Sequence, residues 1–439
     1  MTNAKINVFK NKNFSLLFGG VLVSNIAHIL FNFAISLFVL RIAKGLYDEN
    51  TAAMIQAIYL AVSGFVLLIL MPIGGVFADK LNKVKTMYLT DFIRGSTILL
   101  ATLGLILISD QFMIIVMLFV MNIILAVNSA LFTPASSSLL RFIVADEELQ
   151  QAASYMYGSS SFQAIIGLLL GGILYSSMGI VWVFVINGVA YIISAITEIF
   201  IRYDHTRHSD QNAVSVKAVF ADIKSGLSYI YHEKPIFATL MMALGLNFFL
   251  SPIFGNALPY FIEFSLAASP RFLFDGFMTP ETWFSAISIS MSISAIIMSL
   301  FLSRRKTKEK YAAWLKTAII VFVALVTVYA ISMIMFYGGS VPIDSILILM
   351  ISIFFLLGFA NTAFNVPVNL IFQKRIDMSQ LGKVNSVSGV LSQALIPLAS
   401  LVAGVLISQV SVIALYLFSL IGMLIVTVLY VLNKQTNTI

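Results

Sequence analysis

Asn25, His28, Asn32 and Ser36 fall within about 80° of arc if residues 14–42 are helical, at about 100° per residue. They interrupt an apolar run, where a polar group costs free energy unless something satisfies it. Such a stripe can hold the polar part of a ligand. His28 is near its middle, and an unperturbed imidazole exchanges protons at ordinary pH. The plainer alternative is a neutral imidazole hydrogen-bonded to neighbouring helices. In another run, Asp91 and Arg94 are three residues apart on one face. They most simply pair with each other, which spares two isolated charges in low dielectric and suits a gate or structural role. Glu198 with Arg202 reads the same way, and Glu263 stands at the end of a run. Further polar sets are Asn122 and Asn128, then Asn247, Ser251 and Asn256, then Asn361, Asn365 and Asn369. The candidate proton carriers are His28, Asp91 and Glu263.

Other chemistry finds no foothold. There is no Gly-Lys-Ser/Thr phosphate loop, so ATP is not expected as a direct energy source. Four histidines without cysteine give no metal-ligand cluster. No serine nucleophile elbow is present. Neither an enzyme nor a cofactor is expected.

The elements that carry these residues are long apolar segments. Hydrophobic residues make up 60% of the 439, and mean hydropathy is +0.98, which excludes an ordinary soluble domain. A membrane-spanning helix needs about 20 predominantly apolar residues. Twelve segments qualify, roughly 14–42, 52–78, 85–108, 112–139, 150–177, 180–202, 234–263, 282–303, 311–337, 343–372, 380–408 and 410–432. The first is too long for a cleavable signal and lacks a small-residue cleavage site, so it is expected to stay as helix 1.

A net charge of +7 could suggest nucleic acid, but the placement of the basic residues points elsewhere. With both termini cytoplasmic, 22 of the 26 Lys and Arg fall on that side. Arg41, Lys44 and Arg271 fall outside, and Arg94 lies within helix 3. That asymmetry is the positive-inside rule, so the charge reports topology and not a nucleic-acid partner.

The chain also repeats itself. Asn128-Ser129-Ala130-Leu131-Phe132-Thr133-Pro134 returns as Asn361-Thr362-Ala363-Phe364-Asn365-Val366-Pro367, an offset of 233 residues. The same offset carries Ile143 to Ile376, Leu168 to Leu401 and Gly171 to Gly404. Internal repeats in a membrane chain read as a two-bundle transporter. The division is then residues 1–202, a linker at 203–233, and residues 234–439. Apolar spacing from Val214 to Tyr231 adds an amphipathic interfacial helix to the linker. His205 and His208 read as solvated linker. The stretch 265–281 reads as a connector.

Gly75-Val76-Phe77-Ala78-Asp79-Lys80-Leu81-Asn82-Lys83-Val84-Lys85 joins helices 2 and 3. The glycine is expected to permit close helix approach, and Asp79 to accept hydrogen bonds at a helix N-terminus. With twelve spans and the half-repeat, this resembles the signature loop of the major facilitator superfamily, with Asn82 where the family usually has a second glycine. The resemblance implies an all-α membrane protein of twelve transmembrane helices in two pseudo-symmetric six-helix bundles. It implies that helices 1, 4, 7 and 10 line a central cavity, and that Asp79 and Lys83 act in a conformational latch. Phe132-Thr133-Pro134-Ala135 through Glu147-Glu148-Leu149, and Phe372-Gln373-Lys374-Arg375-Ile376 through Leu381-Gly382-Lys383-Val384, resemble the macrolide-efflux branch, which is similar to enterobactin exporters. Gly167, Gly171 and Gly172 are similar to the antiporter motif of drug exporters, with Leu168 in the proline position. Plain helix packing explains these glycines too.

The expected function is secondary-active export of a small amphipathic compound from the cell membrane, driven by protons. A metabolite importer or uniporter, and a non-transporting receptor or immunity protein of the same fold, are the alternatives. Drug exporters of this kind often use a helix-1 carboxylate, and helix 1 here has none.

Overall fold

The computed structural model of the protein describes residues 7–202, 216–304, 312–376, 384, 387–391 and 393–438. His205, Arg207, His208, Asp210 and Gln211 of the linker, Lys306 and Lys308, and Leu381, Gly382 and Lys383 lie outside the described residues, as do the side chains of Asp79 and Lys374.

Among the described residues the chain is helical and forms no strand. The helices are α1 (Lys12–Lys44), α2 (Glu49–Lys80), α3 (Lys83–Leu107), α4 (Gln111–Ile143), α5 (146–178), α6 (180–199), α7 (Val216–His232), α8 (Lys234–Leu266), α9 (Pro280–Ser303), α10 (Ala312–Tyr337), α11 (Ile343–Arg375), α12 (Val387–Gln409) and α13 (Val412–Leu432). Eleven stretches have the length and apolarity to cross a bilayer. One of them, Glu147–Ile199, runs for 53 residues. As one straight helix it would reach about 80 Å, more than twice the ~30 Å hydrocarbon core. Gly179 breaks it, with φ 77° and ψ 179°, a conformation that glycine adopts without a Cβ penalty. Twelve crossing helices result, α1–α6 and α8–α13. Helix α7 occupies the stretch where the linker sequence shows apolar periodicity.

Large side chains turned outward fit a hydrocarbon solvent. Leu107 is 77% exposed, and Leu100, Ile69 and Leu432 are also exposed. In water such a surface would drive association; in a bilayer it needs no cover. The helices start on local caps. Asn82 Oδ1 accepts from Lys85 N at 3.0 Å, Asp110 Oδ1 from Met113 N at 3.0 Å, and Ser411 Oγ from Ala414 N at 3.2 Å. Asn82 thus has a task where the resemblance led one to expect glycine: it starts α3.

The half-repeat appears as matched helices. Helices α4 and α11 are both 33 residues long, and each carries a proline inside, Pro134 and Pro367. Contacts divide the chain into two compact units, residues 1–38 with 62–220, and residues 39–61 with 221–439. The end of α1 and the start of α2 therefore pack with the second unit. There Gly404 on α12 meets Met54 and Ala57 of α2; a Cβ on Gly404 would stand 2.5 Å from that of Ala57. Its repeat counterpart, Gly171, packs in the first unit, where a Cβ would stand 2.9 Å from the Phe33 ring of α1.

Helix α8 is irregular. Pro252 and Pro259 each lack an amide donor, and Ile253–Ala257 and Phe261–Leu266 widen into π turns. Leu258 N and Ala267 N donate five residues back, to Ile253 O and Ile262 O.

Candidate functional site

Chemistry-bearing side chains gather in two places in each unit. In the first unit, Arg94 Nη1 donates to Asp91 Oδ1 at 2.8 Å, one turn apart on α3, with both residues buried. The pairing is the one expected from the i, i+3 spacing. The guanidinium lies 4.7 Å from the Phe132 ring centre and 5.5 Å from that of Tyr191, so its faces are shielded by aromatic surface. Glu198 of α6 is fully buried in the same neighbourhood. Its Oε1 accepts from Ser194 Oγ at 3.4 Å, and Ser194 also faces the Asp91 carboxyl. Asp91 Oδ2, Arg94 Nε and Glu198 Oε2 are buried without hydrogen-bond partners.

This corrects the pairing of Glu198 with Arg202. Glu198 forms no ion pair with Arg202 among the described residues. Arg202 is held instead through its backbone, by Asn13, whose Oδ1 accepts from Arg202 N at 2.9 Å and whose Nδ2 donates to Arg202 O at 3.1 Å. The signal for the true arrangement was present. Tyr191, Ser194 and Glu198 follow i, i+3, i+7 and share one face of α6.

His28 adjoins this cluster. Asn32 Nδ2 donates to its Nε2 at 2.9 Å, and its Nδ1 lies 3.1 Å from Tyr191 Oη. With Nε2 accepting, Nδ1 carries the proton and donates to Tyr191, a neutral imidazole paired at both nitrogens. Asn25 departs from the stripe's other members. Its Nδ2 donates to Gln163 Oε1 at 3.2 Å, and Gln163 Nε2 donates to Ser159 Oγ at 2.9 Å. Ser159 lines a pocket of about 260 Å³ with Phe18, Leu22, Tyr155 and Phe162. Ser36 bonds its own helix at Phe33 O. Asn122 is buried on α4, and Asn128 turns back to Ile124 O at 2.8 Å.

In the second unit, Asn247, Asn361 and Asn365 line one pocket with Phe322 and Phe364, with about 70 Å³ open to a water-sized molecule. Asn365 Nδ2 donates to Asn361 O at 3.1 Å and also meets Asn361 Oδ1. Asn256 is buried and its Oδ1 accepts from Ser400 Oγ at 3.2 Å. Ser251 Oγ is buried without a partner and is not part of the Asn247 pocket.

Also in the second unit, Arg41 holds two carboxylates. It donates through Nε (3.2 Å) and Nη2 (3.0 Å) to Glu263, and through Nη2 to Glu281 Oε1 at 2.9 Å. Glu263, a sequence candidate for proton binding, is thus a buried member of a three-group ion cluster. Arg41 and Glu281 are 240 residues apart, and no local pattern connects them. Glu281 also closes the 265–281 stretch, so the connector ends in a charged contact.

The glycines sort differently from expectation at one point. A Cβ on Gly75 would meet nothing within 4 Å, whereas one on Gly74 would collide with Ala130 O of α4. Close approach therefore belongs to Gly74. Gly167 and Gly171, four apart, both bring α5 against α1: Cβ atoms there would stand 2.8 Å from Ile29 Cβ and 2.9 Å from the Phe33 ring. Gly172 is buried. Lys83 is buried, with Nζ 5.2 Å from the Phe142 ring centre.

The family model of the Major Facilitator Superfamily matches residues 17–396. Macrolide efflux protein A of Streptococcus pyogenes is 22% identical over 352 residues, covering 78% of each chain. The MFS-type transporter YfiS of Bacillus subtilis (strain 168) is 22% identical, covering 72% of this chain and 69% of its own length. The crystal structure of a bacterial homologue of the iron transporter ferroportin, in an inward-facing state, superposes with a TM-score of 0.70 at 14% identity, covering 98% of this chain and all of the other. A D-xylose-proton symporter gives 0.67 at 12% identity, covering 97% of each. At those identities the two structures show the fold. The chain belongs to the Major Facilitator Superfamily and is a multi-pass membrane transporter.

Proposed function

We propose that this Major Facilitator Superfamily chain exports small amphipathic compounds, macrolide-like drugs or related natural products, from the cell by proton-driven alternating access. Both termini are assigned to the cytoplasm on the distribution of Lys and Arg. Residues 1–202 and 234–439 are the halves that rock, with 203–233 joining them, a division supported by the 233-residue repeat. The observation that carries the cargo class is the character of the polar sites. Asn25, His28 and Asn32 in one unit offer neutral amides and an imidazole, and Asn247, Asn361 and Asn365 in the other offer amides in a pocket shared with Phe322 and Phe364. Such sites suit a bulky, weakly polar molecule and disfavour a strongly charged one. Asn122, Asn128 and Ser251 are assigned to the same pathway. The likeness to macrolide efflux protein A supports the export direction. Asp79, Lys83, Asp91 and Arg94 are assigned to the conformational latch, together with Gly75, Gly167, Gly171 and Gly172.

The test is erythromycin and ethidium efflux from cells lacking their own pumps, with and without an uncoupler. Uncoupler-sensitive efflux is expected, and Asp91→Asn should abolish it while membrane insertion persists. Equilibration insensitive to the uncoupler would indicate a uniporter, and absence of flux a receptor. Wild-type export by Asp91→Asn would remove Asp91 from the latch.

A further inference from the structure

We propose that Glu198 is a resident proton-binding carboxyl, neutral at ordinary pH, beside the buried Asp91–Arg94 ion pair. Its role in coupling rests on the proton-driven efflux reading above. The argument is one of charge and partners. One guanidinium faces two carboxyls, all three groups buried, and it donates to only one of them. A second carboxylate would stand in low dielectric with a single long hydrogen bond, from Ser194 at 3.4 Å. Buried charges without such compensation neutralise themselves by taking up a proton. A proton on Glu198 also makes Oε2, which has no partner, part of a neutral group, which costs less to bury than a carboxylate oxygen.

The surroundings define what the site responds to. Asp91 and Arg94 face it from α3 and Ser194 from α6, while Tyr191 of α6 stands by Arg94 and Asp91 and bonds His28 of α1. Phe132 of α4 covers the guanidinium. Gly20 of α1 closes one side, since a Cβ there would stand 2.8 Å from Thr197 Oγ1 and 3.2 Å from Ser194 Oγ. Arg94 Nε has no partner, so it is a donor in reserve for Glu198 once the proton leaves. From the cluster, the chain Tyr191–His28–Asn32 runs to an exposed amide, by which a change in Arg94's partners can be felt at a candidate cargo residue.

The test uses the full chain purified into liposomes, followed by infrared spectroscopy from about pH 6 to about pH 10. A buried carboxylic acid C=O band is expected at neutral pH in the wild type. It should vanish in Glu198→Gln, whose amide is isosteric with the neutral acid. The wild-type titration requires no variant to fold. A missing band in the wild type, or a band unchanged by Glu198→Gln, overturns the proposal. Proton movement coupled to erythromycin or ethidium, measured in the same liposomes, should fall at least about tenfold in Glu198→Gln. Should the wild type move those probes without protons while the band behaves as described, the coupling reading fails and the Glu198 site stands. Proton-coupled efflux without the band overturns the site and leaves that reading intact.

Discussion

Among the described residues, two clusters share one composition, an arginine with two carboxyl groups, and they are built oppositely. Around Arg41 both Glu263 and Glu281 accept hydrogen bonds from the guanidinium, at 2.9–3.2 Å. Around Arg94 only Asp91 does, while Glu198 hangs on Ser194 and one oxygen of each acid is left bare. Exposure separates them further: the Arg41 side chain is 42% exposed and that of Arg94 is 6%. An arginine reached by solvent can serve two carboxylates, because water shares the cost of the excess charge. A dry arginine that serves one leaves the other carboxyl to find a proton. The same residues thus make a clasp in one place and a titratable site in the other.

The largest expected effect comes from removing each arginine. Arg94→Met leaves Asp91 as an uncompensated buried charge and should cost about 3–5 kcal/mol. Arg41→Met strips the shared partner from two buried carboxylates, but water entering the space of a side chain that is 42% exposed offsets part of the loss, so it should cost less, about 2–3 kcal/mol. Thermal unfolding of the two detergent-solubilised variants measures both, and equal losses would break the comparison. A smaller effect separates the acids. Glu198→Gln replaces a group already neutral and should change stability by under about 1 kcal/mol, whereas Glu281→Gln loses a charge-assisted hydrogen bond worth about 1.5–3 kcal/mol before solvent exposure of Arg41 discounts it. The smallest effect sharpens the picture of the exposed end. Asp48, just before α2, accepts from Thr51 Oγ1 at 2.5 Å, and that bond holds its carboxyl below the usual 3.8. A lowered folded-state value means stability present above about pH 3.8 and lost as pH falls through the lower one. Unfolding temperatures of wild type and Asp48→Asn should therefore differ at about pH 5 and converge near about pH 2.

Local periodicity carried much of the reading. The Asp91–Arg94 pair was legible because residues three apart on a helix must meet. The same rule misled at Glu198, where Arg202 stood at i+4 but beyond the last residue of α6, and its backbone was taken by Asn13. Gly75 was the expected point of close packing, yet its neighbour Gly74 faces α4. A one-residue step turns a helix by about 100°, and sequence alone does not say which face finds a partner.

The sequence by itself determined that the chain is a bundle of membrane helices, because long apolar runs have no other stable form in lipid. It determined the half-repeat, and it marked the polar residues that interrupt those runs. Only the tertiary structure decided which of these residues meet. Arg41 joins Glu263 and Glu281 across more than 200 residues, and Glu198 joins Asp91 and not Arg202. The physical reason is that helix formation depends on local spacing, whereas the partner of a buried charge depends on which helix faces pack together.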